Sequence, residues 1–312
     1  MTTQHTTLLN NIVENIEKVI IGKRPVIELV LCALLSKGHV LLEDKPGVGK
    51  TSLVSAIAKS FDCSFKRIQF TPDILPSDIT GFSMYNQKTN GFEYHEGAIM
   101  SQIILADEIN RTSPKTQSSL LEVMEENQVT VDGITHEVPQ PFVVFATQNP
   151  IEYLGTYPLP EAQLDRFFMK LSLGYPSATQ ESNMLSLFRQ GSPIHNLEPV
   201  ATSADLIKMQ EAVLNIHVER TINDYIVSLV NFTREAKEVA LGASPRASIA
   251  LYKAGQSNAY YIGREFVTPD DIKKMAPAVL EHRLVLTQES QIRKITASAI
   301  IEEALNSIKV PV

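Results

Sequence analysis

The chain has 312 residues, of which 44% are hydrophobic and 20% charged, with 14 Gly and 17 Pro. Such a length carries a core without disulfide or metal support, suggests two domains, and excludes a collagen-like or largely disordered chain. The formal charge of −7 disfavours a protein that coats nucleic acid, and no apolar run approaches the ~18 residues of a membrane helix.

The first residues, MTTQHTTLLNN, lack a basic region followed by an apolar run, so no secretory signal is expected there. Residues 8–36 have helical spacing, with Ile12, Ile16, Val19 and Ile20 on one face and GKRP at 22–25 as punctuation. Cys32 and Cys63 sit in apolar settings without CxxC spacing and read as reduced core thiols of a cytosolic protein. HVLLE at 39–43 predicts a strand, followed by a Gly-rich turn at 46–49 and a helix over 51–60. Further strands are expected at 65–70 and 101–106, then a helix over 114–127 with Leu120, Leu121 and Met124 on its apolar face. Asp132-Gly133 predicts a hairpin between 129–131 and 136–138, and PFVVFAT at 141–147 a buried strand. Strands alternating with helices indicate an α/β domain with a largely parallel sheet.

After Tyr175-Pro176 the pattern becomes helical, over 179–190, 203–217, 219–240, 245–262, 268–281 and 290–308. Thr268-Pro269-Asp270-Asp271 has the form of a helix start: a cap, Pro at the first position and acids in the first turn. The charge divides unevenly, because residues 1–175 hold 14 basic and 20 acidic side chains. An anionic ligand in the first half therefore needs focused local donors.

DKPGVGKT at 44–51 supplies such donors. Its GKT ending follows an apolar strand and opens a helix, the context of a phosphate-binding loop. Gly47 and Gly49 let backbone N–H groups approach phosphate oxygens, and the helix start adds aligned donors. Lys50 offers charge to the β- and γ-phosphates, and Thr51 a hydroxyl to Mg²⁺. Asp44 departs from the general motif, which has Gly there. In IILADE, four apolar residues put Asp107 and Glu108 at a strand's carboxyl end, the ligand edge of an open α/β sheet. Asp107 suits Mg²⁺, and Glu108 suits a proton acceptor for attacking water. FVVFATQN places Asn149 at another strand end, where an amide can position water. Arg166 lies in LDRFF. Arg246 follows Pro245 at a helix start, where the dipole disfavours a cation and an external anion would favour one.

LLEDKPGVGKT, ILADEINRTSPKTQSSLLEVMEE, FATQNPIEYLGTYPLPEAQLDRF and GASPRAS, with VTPDDI at 267–272 in matching order, resemble the blocks of the MoxR-type AAA+ ATPases. The resemblance implies an α/β AAA+ P-loop NTPase core with a parallel sheet over 1–176 and a C-terminal all-α lid domain over 177–312. Asp44 also occurs in that family. Walker A then spans Asp44, Lys45, Pro46, Gly47, Val48, Gly49, Lys50 and Thr51, with Ser52 following. Walker B is Asp107 and Glu108, and Asn149 is sensor 1. Arg246 matches the sensor 2 arginine that contacts the γ-phosphate, and Arg166 the finger reaching a neighbouring subunit's ATP. Arg111 is the other candidate for that finger. Ile20, Ile21 and Gly22 match the stretch lining the adenine pocket.

Residues 81–98 and 128–138 resemble hairpin insertions that face the pore or the substrate in ring ATPases of this clade. The alternative is two surface hairpins with local structural roles. Phe82, Tyr85, Phe92 and Tyr94 either grip a polypeptide or pack on the core, and Asn90-Gly91 is the expected tip. The implied activity is Mg²⁺-dependent ATP hydrolysis by a ring, expected to be a hexamer, that remodels protein clients. The implied clients carry von Willebrand factor A-type domains, with metal or cofactor insertion as a theme. A nucleic-acid motor is the lesser reading, since the hairpins hold Lys88 as their one Lys or Arg. A nucleotide-sensing scaffold with little turnover is the third.

Overall fold

Strands that are apolar on both sides of the pleat need cover on both faces, and this requirement organises the first half of the chain. The computed structural model describes residues 2–149, 155–188 and 191–311. The chain runs through α1 (Thr2–Glu17), α2 (Arg24–Leu35), β1 (Val40–Glu43), α3 (Lys50–Ser60), β2 (Phe65–Gln69) and α4 (Pro76–Thr80). A hairpin of β3 (Gly81–Asn86) and β4 (Gly91–Glu96) precedes β5 (Ile103–Asp107) and α5 (Pro114–Glu126). A second hairpin, β6 (Gln128–Val131) and β7 (Ile134–Glu137), leads to β8 (Val143–Gln148), α6 (Glu161–Leu164) and β9 (Met169–Leu171). The remainder is α7 (Ala178–Phe188), α8 (Ser203–Val213), α9 (Arg220–Glu235), β10 (Val239–Leu241), α10 (Pro245–Ile262), α11 (Pro269–Leu280), β11 (Val285–Leu286), α12 (Gln288–Ile292) and α13 (Ala297–Ser307).

The main sheet has five strands in the order β2-β5-β8-β1-β9, and every pairing in it is parallel. Alternate residues enter two cores. Leu42, Ile103, Leu105, Val143 and Phe145 face one core, and Leu41, Ile104, Ala106, Val144 and Ala146 the other. The first core continues through α1–α3 into the later helices, including Leu206, Leu229, Leu251, Ile272 and Ile300. The second is closed by α4 and α5 through Ile79, Leu120, Leu121 and Met124. Gly255 lets α10 and α11 approach closely, since a Cβ there would lie 2.6 Å from Ile272 Cδ1. At the start of α11, the Asp271 carboxylate accepts the Thr268 N–H at 2.7 Å and the Thr268 hydroxyl at 3.0 Å.

Several elements depart from the sequence reading. The strand expected at 101–106 lies two residues later in part, so Asp107 ends it. Asn90-Gly91 is not a two-residue tip: Asn86 pairs with Gly91, and the turn closes through Asn90 at φ +53°. Asp132-Gly133 does form a two-residue turn, with both residues at positive φ between Val131 and Ile134. The segment 290–308 divides into α12 and α13, with Lys294 at φ +59° between them. Residues 189–190, the end of another expected helix, lie outside the described residues. The short strands β9, β10 and β11 were not expected.

Cys32 is buried, whereas Cys63 is half-buried at the edge of the first core; both are free, and burial pushes each thiol up to about 12. No helix among the described residues is long and apolar enough to cross a membrane. Phe82, Tyr85 and Phe92 are exposed on the first hairpin, while Tyr94 is half-buried. Tyr94 stacks on His136 of the second hairpin at 3.9 Å between ring centroids, tying the two ribbons together.

Candidate functional site

Parallel strands release their loops at one edge, and the carboxyl edge of this sheet carries a cleft of about 380 Å³. The turn after β1 forms one wall. Gly47 and Gly49 adopt φ +80° and +94°, left-handed values that a side chain disfavours. Gly49 is also the N-cap of α3, so the loop runs straight into the helix's free N–H groups. Pro46, Gly47, Gly49, Lys50, Thr51 and Ser52 all line the cleft. Lys50 Nζ donates to the Asp44 carbonyl at 2.6 Å. Burial pushes its ammonium below the usual lysine range, against the pull of Asp44, Asp107 and Glu108.

Three residues of this stretch play other parts. The Asp44 carboxylate turns away from the cleft and accepts Ser172 Oγ at 2.9 Å, together with the N–H groups of Leu173 and Gly174. Asp44 is therefore a buried anchor tying the loop to the segment after β9, which accounts for an acid where the general motif has Gly. Lys45 Nζ lies 5.0 Å over the Tyr175 ring, and Val48 packs against the first core. We expect Asp44→Ala to lower unfolding free energy by roughly 3 kcal/mol, since it strands buried donors. Urea unfolding measures this, and a loss below about 1 kcal/mol would contradict the anchor.

Ile20, Ile21 and Gly22 lie at the α1–α2 turn and are not among the residues that line this cleft. A Cβ on Gly49 would lie 4.0 Å from Ile20 Cδ1. Gly22, at φ +70°, is covered by Gln180, whose Nε2 donates to its carbonyl at 3.2 Å.

The opposite wall comes from β5, β8 and β2. Thr147 Oγ1 donates to Asp107 Oδ1 at 2.7 Å and accepts the Glu108 N–H at 2.8 Å. Arg67 Nε donates to Asp107 Oδ2 at 3.0 Å, with Nη2 on the same oxygen. Glu108 has left the strand at φ +59°, a left-handed conformation costing about 1–2 kcal/mol for a residue with a Cβ. Its carboxylate accepts Gln69 Nε2 at 3.0 Å and Arg111 Nη1 at 3.1 Å. Asn149 is buried and lines the same cleft. Arg67, Gln69 and Thr147 were missed from sequence. Arg67 and Gln69 are two apart on β2, a same-face signal, but their value depends on β5 being the neighbouring strand.

Arg166 and Arg246 do not join this cleft. Both meet Glu125 near the end of α5, Arg166 Nη2 at 3.3 Å from one carboxylate oxygen and Arg246 Nη2 on the other. They share a surface with Gly38 and His39, just before β1, and Phe168, just before β9. That is the amino edge of the parallel sheet, whereas the glycine-rich loop after β1 leaves its carboxyl edge. Arg246, expected at a γ-phosphate, therefore lies away from the cleft of its own chain. The cause is the docking of α10. Ser244 Oγ donates to Asp165 Oδ2 at 2.8 Å, and buried Arg283 donates Nε to Asp165 Oδ1 at 2.8 Å. Arg283 also donates to the Phe167 carbonyl at 2.7 Å. This brace fixes residues 165–168 against the start of α10. Arg111 instead pairs with Glu108 of its own chain. Residues 150–154 of the FATQNPIEYLGTYPLPEAQLDRF block lie outside the described residues.

Comparison with known proteins gives a consistent family signal. The profile of the ATPase family associated with various cellular activities (AAA) matches residues 39–169, and an AAA lid domain profile matches 231–304. Chaperone MoxR1 of Mycobacterium tuberculosis is 41% identical, over 97% of this chain and 82% of that protein. The uncharacterized protein YeaC of Bacillus subtilis is 57% identical, over 98% of this chain and 95% of its own length. A crystal structure of a protein from Cytophaga hutchinsonii superposes with a TM-score of 0.92. It is 36% identical, and the match covers 100% of this chain and 97% of that one.

Proposed function

Because this chain belongs to the MoxR family of AAA+ ATPases, we propose that it hydrolyses ATP as a ring, most simply a hexamer, to remodel client proteins. The observation that carries this reading is the convergence of Lys50, Thr51, Asp107, Glu108 and Asn149 on one cleft, from a loop and two neighbouring strands. Residues 1–176 act as the nucleotide-binding part and 177–312 as the lid. Clients with von Willebrand factor A-type domains, and metal or cofactor insertion into them, remain part of the proposal by resemblance alone. So does a cytoplasmic setting, which the two free thiols favour.

In this reading the loop N–H groups and Lys50 bind the phosphates, and Ile20, Ile21 and Gly22 flank the adenine. Thr51 and Asp107 would hold Mg²⁺ with phosphate oxygens and waters. Two hard oxygen donors suit this ion, which seldom uses an all-protein cage. Among the described residues no cluster of three or more His, Cys, Asp or Glu forms such a cage. Bound there, Mg²⁺ would neutralise charge on the β- and γ-phosphates. The Arg67 guanidinium and that cation are alternatives at Asp107. Glu108 accepts the proton of the attacking water, oriented by Gln69 and Arg111, and Asn149 positions that water. Arg166 and Arg246 act on the nucleotide of an adjacent copy, which brings the amino edge of one subunit to the carboxyl edge of the next.

Phosphate release measured across protein concentration tests this. Specific activity should rise with concentration and should vanish when Mg²⁺ is chelated. Strict proportionality down to dilute monomer, or turnover without the metal, would overturn the reading.

A further inference from the structure

Within one chain, the anion between Arg166 and Arg246 is a side chain. Glu125 gives one carboxylate oxygen to each guanidinium, in a pocket of about 160 Å³ bounded by Met124, Glu125, Arg166 and Arg246. Two guanidiniums converging on one oxyanion is an arrangement that also grips a phosphate. The backbone beneath the carboxylate is fixed. His39 Nε2 bonds the Met124 carbonyl at 2.9 Å, and its Nδ1 accepts the Val144 N–H at 3.0 Å. The Asp165, Ser244 and Arg283 brace fixes the arginines from the other side. An anion of higher charge than a carboxylate is the better partner for two converging guanidiniums. Arg246 also sits in the first turn of α10, where the helix dipole opposes its charge unless an anion is near. The Glu125 side chain is 37% exposed, so an incoming subunit can reach it.

We propose that Glu125 is an internal substitute for a nucleotide phosphate. It holds Arg166 and Arg246 converged in the isolated subunit and yields them to the nucleotide of an adjacent copy. The inference rests on the trans placement of the two arginines given above. Glu125 thus competes with the neighbour's nucleotide for the two arginines, and it sets the concentration at which rings assemble.

Glu125→Gln keeps the side chain's shape and removes its charge. Sedimentation with a non-hydrolysable ATP analogue should then give a midpoint for assembly lower by roughly 3- to 30-fold, the range expected from releasing two partly exposed ion pairs. Phosphate release at saturating protein should stay at the wild-type level. Raising the salt should shrink the difference between variant and wild type. Glu122→Gln, one turn earlier on α5, controls for a general loss of negative charge and should move the midpoint less. An unchanged or higher midpoint, an equal shift in the Glu122 variant, or a fall in saturating turnover would overturn the proposal. Arg166→Ala, measured alongside, separates the two ideas. If it leaves saturating turnover intact, the trans reading fails and takes this inference with it. If it lowers turnover while Glu125→Gln leaves the midpoint unmoved, only the substitute role fails.

Discussion

Glu108→Gln should retain ATP binding and lower turnover by roughly 10²–10⁴-fold, the usual span for removing a positioned general base. The argument is local. Gln has nearly the volume of Glu and can adopt the same backbone conformation at φ +59°. Its amide oxygen still accepts from Gln69 or Arg111, so the wall of the cleft should persist. What it lacks is the capacity to take a proton. Binding depends instead on Lys50, Thr51 and the loop N–H groups, which the substitution does not touch. Equilibrium binding of a fluorescent ATP analogue, paired with steady-state phosphate release, separates the two effects. Undiminished turnover would remove Glu108 from the mechanism, and loss of binding would make its role structural.

Which parts of this site could be read from sequence follows from how locally each is determined. The phosphate loop is set by residues within a few positions of one another: an apolar strand, glycines at 47 and 49, and a helix that opens at Lys50. Asp107 and Glu108 were legible because four apolar residues precede them and the chain must surface there. Arg67 and Gln69 were not. Nothing near them in sequence states that β2 lies beside β5, and only that register puts Gln69 opposite Asp107. The three-residue β9 is too short to show periodicity, yet it fixes which sheet edge receives Arg166. The placement of Arg246 is the most nonlocal case. It depends on a buried ion pair between Asp165 and Arg283, 118 positions apart, that seats α10 beside the wrong edge for a contact within the chain. The Asp44 anchor has the same character, because its partners lie 128–130 residues downstream.

Arg166→Ala should lower ring turnover by about 10³–10⁵-fold, the range for arginine fingers in well-studied NTPases, without weakening ATP binding by the isolated subunit. The stronger experiment mixes two inactive proteins. An Arg166→Ala subunit retains Glu108, and a Glu108→Gln subunit retains Arg166. If the arginine acts across the interface, some contacts in a mixed ring join an intact Glu108 to an intact Arg166. Random mixing in equal amounts makes about a quarter of interfaces competent, so activity should return to that order. Arg246 gives the sharper discrimination, because its expected place within the chain and its observed place disagree. If it served its own subunit's nucleotide, no subunit in a mixture of Arg246→Ala and Glu108→Gln would hold both groups, and activity would stay absent. If it serves the neighbour, as its position beside Arg166 on Glu125 favours, the mixture recovers like the first. Recovery with Arg166→Ala but not with Arg246→Ala would mean that the lid swings far enough to carry Arg246 to its own cleft. That movement would have to break the Asp165, Ser244 and Arg283 brace, which Asp165→Asn would then make easier rather than harder.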